Sequence, residues 1–351
     1  MFRGVMRRWW PLAVALLGCL AVGVSWDARA ADRDPGSFVW FISDTEYSAQ
    51  NTQLGLTRGG AWPLVVGEFD TFLLFPVPDD EFPSNFWHNI GDGVGGGIPV
   101  RSAVSPSGNV AALTPGQPGT IYGPTGTATP LPGSPVAVTY SPGGVLITAD
   151  QTGSVQGFAY NGPTNITDIA VSPFGEGGVL ADDTFVYAPT GTEIILGDLG
   201  FGFPQGEGSL NFDAQGRPHI VFPNSQVFTF DSIAAAWSAT TLDSGLPSFG
   251  PLLSIESDAT GLTGVGYVDS SDNLMFAYWT AAAGWQQTVV DVGVDDNYQV
   301  GLDFDYDNLP VLSYVKNSRV HVAYDPIVAV PEPAVVAVAM VGLTLIKRQR
   351  D

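Results

Sequence analysis

The stretch SLNFDAQGRPHIVFPNSQVFTFDSIAAAWSATTLD, residues 209–243, decides how the rest of the chain is read. Leu210 and Phe212 alternate with polar neighbours, Asp213-Ala-Gln-Gly216 reverses the chain, and residues 218–222 run back as a second strand. Residues 227–230 make a third strand and 237–242 a fourth. Period-2 alternation broken at Asp and Gly turns is the mark of an antiparallel meander. A single meander cannot bury both of its faces, so it calls for copies of itself.

Copies are present. A short apolar strand, then Ser or Asp, two residues, Gly or Asn, and another strand recur along the chain. The instances are Ser105-Pro-Ser-Gly108, Ser141-Pro-Gly-Gly144, Ser172-Pro-Phe-Gly175, Asp213-Ala-Gln-Gly216, Asp258-Ala-Thr-Gly261 and Asp305-Tyr-Asp-Asn308, with a degenerate first copy at Thr57-Arg-Gly-Gly60. The turns are spaced by 48, 36, 31, 41, 45 and 47 residues, bracketing the period of propeller blades. Ser or Asp at the first position caps its own turn, and Gly at the fourth supplies positive φ. The copies near 108, 144 and 175 are short enough to be three-stranded. The best-conforming segments, 218–222 and 310–314, resemble loosely related bacterial propeller repeats of the form D-x-x-G-x-P-x-(apolar)-x-(aromatic). That resemblance covers roughly residues 37–325.

These observations predict an all-β chain folded as a single β-propeller with seven blades over residues 31–326. The last copy supplies only three strands before the chain leaves at Pro326. Residues 38–42, an orphan strand at the other end, are expected to complete that blade and remove its open edge. Trp237 and Trp285 each follow an Ala-rich hairpin tip, with Asp243 and Asp291 six residues later. Residues 79–97, containing Trp87, His88 and a glycine run, read as a surface loop. They lack the strand–glycine–helix order of a nucleotide loop.

Composition agrees with an all-β chain: 43 Gly, 27 Pro and only 14% charged residues in 351,. Setting aside residues 1–30 (four Arg, one Asp) and 331–351 (three Lys/Arg, two Asp/Glu) leaves six Lys/Arg against 32 Asp/Glu, a body of about −26. Such a surface repels phosphate backbones, which argues against nucleic acid as a partner. The one cysteine, Cys19, lies in the leader, so the body has no disulfide,.

The ends read as addresses. Arg3, Arg7 and Arg8, an apolar run over 11–24, and Ala28-Arg29-Ala30 before Ala31 form a signal helix with a cleavage site,. Leu16-Leu-Gly-Cys19 offers a lipoprotein signal as the alternative. At the other end, Pro331-Glu332-Pro333 precedes thirteen uncharged, mostly apolar residues, 334–346, and then Lys347-Arg348-Gln349-Arg350. This tail, over 327–351, closely resembles the PEP-CTERM sorting signal. The resemblance implies export to the cell surface, envelope or extracellular matrix, an exosortase-type enzyme as partner, and a transient transmembrane helix in the inner membrane. The basic end would stay on the cytoplasmic side.

The residues do not single out a reaction. His88, His219 and His321 have no zinc-ligand spacing, no G-x-S-x-G elbow is present, and five body arginines with no S-x-D-x-G-x-T-W box fall short of a sialidase pattern. Asp303, Asp305 and Asp307 alternate on one side of the chain and make a calcium candidate. The EF-hand pattern fails there, and solvated aspartates are the plain alternative. The expected function is binding or structural, directed at an extracellular polysaccharide, without a cofactor. The alternative is a carbohydrate-active hydrolase or lyase on the same scaffold. A deep, carboxylate-lined axial pocket would favour the enzyme, and a shallow aromatic face around Trp62, Trp87 or Trp279 would favour binding.

Overall fold

The structure, a computed structural model, describes residues 40–324 apart from 45–51, 57–62, 68–69, 76–85, 93–100, 114–117, 124–126, 202–203, 205, 232–234, 247–252, 281–282, 296–298 and 305–307. Between residues 52 and 92 it describes backbone alone. The signal helix, Ala30 and Ala31, and the tail with Pro331, Glu332 and Pro333 lie outside the described residues. No helix among the described residues is long and apolar enough to cross a membrane.

All described strands pair antiparallel within seven sheets, and within a sheet each strand but β1 lies beside its neighbour in the chain. The first sheet is β2 (Thr52–Leu56), β3 (Pro63–Gly67), β4 (Asp70–Phe75) and β5 (Phe86–Asp92). The second is β6 (Arg101–Val104), β7 (Val110–Leu113), β8 (Thr120–Tyr122) and β9 (Ala128–Pro130). The third has only β10 (Ala137–Tyr140), β11 (Leu146–Ala149) and β12 (Val155–Gln156). The fourth is β13 (Ile166–Val171), β14 (Gly177–Ala181), β15 (Thr184–Tyr187) and β16 (Thr192–Ile195). The opening stretch of the sequence analysis is the fifth: β17 (Ser209–Phe212), β18 (Pro218–Val221), β19 (Gln226–Asp231) and β20 (Ala236–Thr241). The sixth is β21 (Ser254–Ser257), β22 (Thr263–Val268), β23 (Asn273–Thr280) and β24 (Gly284–Val292).

The seventh sheet joins the two ends of the chain. β25 (Gly301–Phe304), β26 (Pro310–Lys316) and β27 (Arg319–Tyr324) are followed on the open edge by β1 (Phe41–Asp44). Phe41 lies opposite Tyr324 and Asp44 opposite His321. The expected closure is therefore present, with the strand at Phe41–Asp44 where the sequence suggested residues 38–42. The first strands neighbour one another in the order β2, β6, β10, β13, β17, β21, β25 and back to β2. A closed ring of radially stacked meanders is a β-propeller.

Two expectations need correction. Where seven blades are expected, six complete four-stranded blades are present, and the sheet around residue 144 has only three strands. Of the copies expected to be short, those near 108 and 175 are complete. The proposed loop at 79–97 contains β5, which pairs with β4 through Leu74 opposite Trp87 and Leu73 opposite His88. A fourth strand there covers the edge that β4 would otherwise leave open.

The turn chemistry is as the repeat implies. The hydroxyls of Ser105, Ser141 and Ser172 accept the amides of Asn109, Val145 and Glu176. The Oδ1 atoms of Asp213 and Asp258 accept those of Arg217 and Leu262 in the same way. Gly216 has φ +75°, and Asn308, in the corresponding place of the last copy, tolerates +61°,.

Between these turns the sheets pack face to face. Phe185, Phe212, Ile220, Phe222 and Phe228 fill the space between the fourth and fifth sheets. Val221, Val227, Ile255, Val265 and Tyr267 fill that between the fifth and sixth. With no disulfide, burial between neighbouring sheets carries the stability, at roughly 25 cal/mol per Å² of apolar surface.

Candidate functional site at the propeller axis

The inner strands share one arithmetic. In the last three sheets the residues one and three places before the turn's first residue (positions −1 and −3) are buried: Phe212 and Leu210, Ser257 and Ile255, Phe304 and Leu302. Position −2 then faces the axis, giving a ring of Ala103, Thr139, Ala170, Asn211, Glu256 and Asp303. Position −4 gives Arg101, Asp168 and Ser209. All nine line one cavity of about 540 Å³, which continues past the first turns at Pro106, Pro142, Ala214 and Ala259.

One end of this cavity is a buried charge cluster. In β13 a register shift between Ile166 and Asp168 interrupts the pairing. Ile166 therefore packs in the core while Asp168, two residues on, lines the cavity,. Arg101 Nη1 lies 3.5 Å from Asp168 Oδ1 and Nη2 lies 3.2 Å from Glu207 Oε2. Asp168 also accepts the amides of Ile169 (2.9 Å) and Leu210 (2.8 Å) and the hydroxyl of Ser209 (3.2 Å). Burial pushes its carboxyl above the usual range, and Arg101 with these donors pulls the other way. Further along the axis, Asn211 Nδ2 donates to Glu256 Oε2 at 2.7 Å. Asp303 Oδ1 accepts its neighbour's amide, from Phe304, at 2.7 Å. Burial raises the Tyr140 phenol on the same wall.

The site thus contains one residue singled out from sequence, Asp303. Asp305 and Asp307 lie outside the described residues, and among the described residues no group of three or more His, Cys, Asp or Glu forms a metal cage. Arg101, Asp168, Asn211 and Glu256 escaped the sequence reading. Each sits two or four residues before a turn cap that was recognised, so the signal was there: a polar residue at an otherwise alternating position.

His219 and His321 lie elsewhere. His219 is fully buried between Asp213 and Thr229: its Nε2 is 3.2 Å from Asp213 Oδ2 and its Nδ1 3.2 Å from Thr229 Oγ1. Arg217 Nε donates to the same Asp213 oxygen at 2.6 Å, and its guanidinium lies 4.9 Å from the Trp279 ring centre. Burial, aided by Arg217, drives His219 below its ordinary pKa, so it is neutral and donates from Nε2. Burial alone would raise Asp213, but hydrogen bonds from His219 and Arg217 outweigh it and hold the carboxyl low. This is structural clamping of a turn. His321 stacks on Tyr314, ring centres 5.5 Å apart, within the seventh sheet. The two aspartates noted after the tryptophans tie neighbouring sheets together. Asp243 accepts the Ser270 amide at 2.8 Å, and Asp291 accepts the Tyr314 hydroxyl and Lys316 ammonium at 2.8 and 2.9 Å.

No family model and no curated protein matches the sequence. Solved structures do match in shape. One is a virginiamycin B lyase from Staphylococcus aureus, with TM-score 0.54 and 8% identity over 82% of this chain and 99% of that one. A second, solved as YCF48 bound to D1 peptide, gives 0.53 and 13% over 86% and 98%. A third, from a mitotic checkpoint complex, gives 0.53 and 10% over 83% and 95%. At such identities the likeness is one of fold, and the fold is a β-propeller.

Proposed function

We propose that this chain is an exported, surface-sorted β-propeller that binds a polysaccharide of the cell envelope or extracellular matrix at its axis. The axial cavity carries the reading. Its 540 Å³ falls within the usual ~300–1,000 Å³ of small-molecule sites,. Its walls are inner strands held on both sides by neighbouring sheets, and they present amide, hydroxyl and carboxylate groups suited to a hydroxylated ligand. The aromatic-face version of binding has less support, because Trp279 is engaged by Arg217. The leader and the PEP-CTERM-like tail support export, an exosortase-type partner and a transient inner-membrane helix.

A second reading, a polysaccharide hydrolase or lyase on the same site, is favoured by Asp168, Glu256 and Asp303 lining one cavity. Against it, Asp168 is held by Arg101, two amides and a hydroxyl, which suits a clamp better than a proton donor. The test is a glycan array probed with the full chain and with Glu256→Gln, run beside a polysaccharide-cleavage screen. Binding that the substitution abolishes, without cleavage, is expected. Released oligosaccharides would replace the first reading by the second, and binding indifferent to the substitution would remove the cavity from both.

A further inference from the structure

The mouth of the axial cavity is uneven. The turns of the second, third and fourth sheets read SPSGN (105–109), SPGGV (141–145) and SPFG (172–175), without one charged residue. Their prolines, Pro106, Pro142 and Pro173, are exposed and line the opening. The turns of the fifth and sixth sheets instead bring Asp213 with Arg217, and Asp258, to the corresponding places. On a body of about −26, one side of the mouth is therefore neutral and apolar.

Phe174 and Val145 stand on this side. They are 69% and 60% exposed, the most of any large apolar side chain among the described residues. Single exposed apolar residues are ordinary, but these two occupy adjacent turns beside the prolines of one opening. Phe174 also fills the third place of its turn, where the other copies carry Gly59, Ser107, Gly143, Gln215, Thr260 and Asp307. Its ring is seated: two ring carbons lie 3.0 Å from where a Cβ would stand on Gly216, in the next turn. A side chain at Gly216 would displace it. The ring is thus held at one edge and open to solvent elsewhere, and Pro173 stiffens the backbone before it. A platform made rigid before binding loses little entropy when it is covered.

Charge and the cavity together say what covers this platform. A second copy would bring two acidic bodies together, and an anionic membrane would be repelled in the same way. A neutral sugar chain meets no such barrier. The cavity encloses about 540 Å³, room for a short oligosaccharide, so the rest of a polymer seated there passes over the mouth. A hexopyranose with equatorial hydroxyls turns its C–H bonds to its two faces, which suits an aromatic ring beside prolines. We propose that Phe174, with Pro142, Val145 and Pro173, forms a second subsite at the mouth. It takes the apolar face of a neutral, flat, β-linked hexopyranose chain whose leading units occupy the cavity. An α-linked glucan coils, so its successive rings do not lie flat along a row of turns. The proposal rests on the cavity being the binding site and adds the polymer's path and class.

The experiment is calorimetric titration of the full chain and its variants with cellobiose, cellohexaose and maltohexaose. Cellohexaose should bind the parent at least about tenfold tighter than cellobiose, because only the longer chain reaches both subsites. Phe174→Ala should remove that advantage, weakening cellohexaose roughly tenfold and leaving cellobiose unchanged. Phe174→Trp should keep it. The side chain is exposed, so its truncation leaves the fold intact, which an unchanged melting temperature checks. Cellohexaose binding indifferent to Phe174→Ala, yet lost in Glu256→Gln, would overturn the mouth subsite and leave the cavity as the site. Equal binding of maltohexaose would overturn the flat-chain class. Failure of both cello-oligosaccharides, with another glycan bound on the array, would overturn that class too, and an array without any bound glycan would remove the cavity reading with it. Co-sedimentation with phosphatidylcholine vesicles, or dimerisation, that Phe174→Ala abolishes would assign the platform to a membrane or a second copy and overturn the sugar.

Discussion

Replacing Asp213 by alanine should cost this fold about 4 kcal/mol, and the structure says how that sum divides. The carboxylate is fully buried. Its Oδ1 accepts the amides of Gln215 and Arg217 at 3.0 and 2.9 Å, capping the turn. A lost cap of this kind costs about 1 kcal/mol. Its Oδ2 accepts from Arg217 Nε and His219 Nε2. His219 is as buried as Asp213 and would keep an unmade donor, costing about 1–3 kcal/mol. Breaking a fully buried pair costs about 3–5 kcal/mol, but Arg217 is partly exposed and recovers some hydration, so its share is nearer 1 kcal/mol. Urea unfolding reads the result. With a slope of roughly 3 kcal/mol per molar, the midpoint should drop by about 1.3 M. Asp213→Ser provides the internal control, because serine holds this position at residues 105, 141 and 172 and caps those turns. It should recover about 1 kcal/mol, the cap without the pair. An alanine variant within about 1 kcal/mol of the parent, or a serine variant no better than alanine, would refute the division.

Three other outcomes are expected. The folded-state pKa of His219 lies below its ordinary 6.5, so the unfolded chain takes up that proton first; its contribution to stability is complete above about pH 6.5 and shrinks as pH falls below it. His219→Gln should flatten that part of a melting-temperature profile, and an unchanged slope between pH 6.5 and 5 would count against a neutral buried imidazole. Removing residues 1–44 strips β1 from β27 and exposes an unpaired edge,; light scattering should show self-association with a lower melting temperature, and a monomer melting as before would contradict closure. Mass spectrometry of protein from a host carrying the sorting enzyme should find the C-terminus near residues 330–333, whereas an intact Asp351 would leave a plain membrane anchor.

Much of the scaffold was legible because the turn signal is local. Ser105, Ser141, Ser172, Asp213 and Asp258 each bond an amide four residues away, so the pattern survives in the linear sequence without knowledge of neighbours. Ring closure followed from counting strands in the last copy. The strand at 86–92 was missed because Gly91 and the glycines after it read as loop, and its partner β4 lies across a long connection. The axial site was harder for a different reason. Alternation marks two faces of an inner strand but does not say which points to the axis, and the partners of Arg101 lie 67 and 106 residues away, at Asp168 and Glu207. Nothing local announces such a pair.

Pairing Phe41 with Tyr324 has a kinetic consequence. Every other strand contact within a sheet is between neighbours in the chain and can form as soon as its meander exists. The β1–β27 ladder alone must wait for nearly the whole polypeptide, and its closure entropy grows with the logarithm of that length. Folding should therefore proceed as local hairpins that accumulate into an open arc, followed by one slow joining step set by the most distant contact. Unfolding runs the same path in reverse: the seam between β1 and β27 is where the ring parts first, and a clip placed across it would slow the loss of the whole fold.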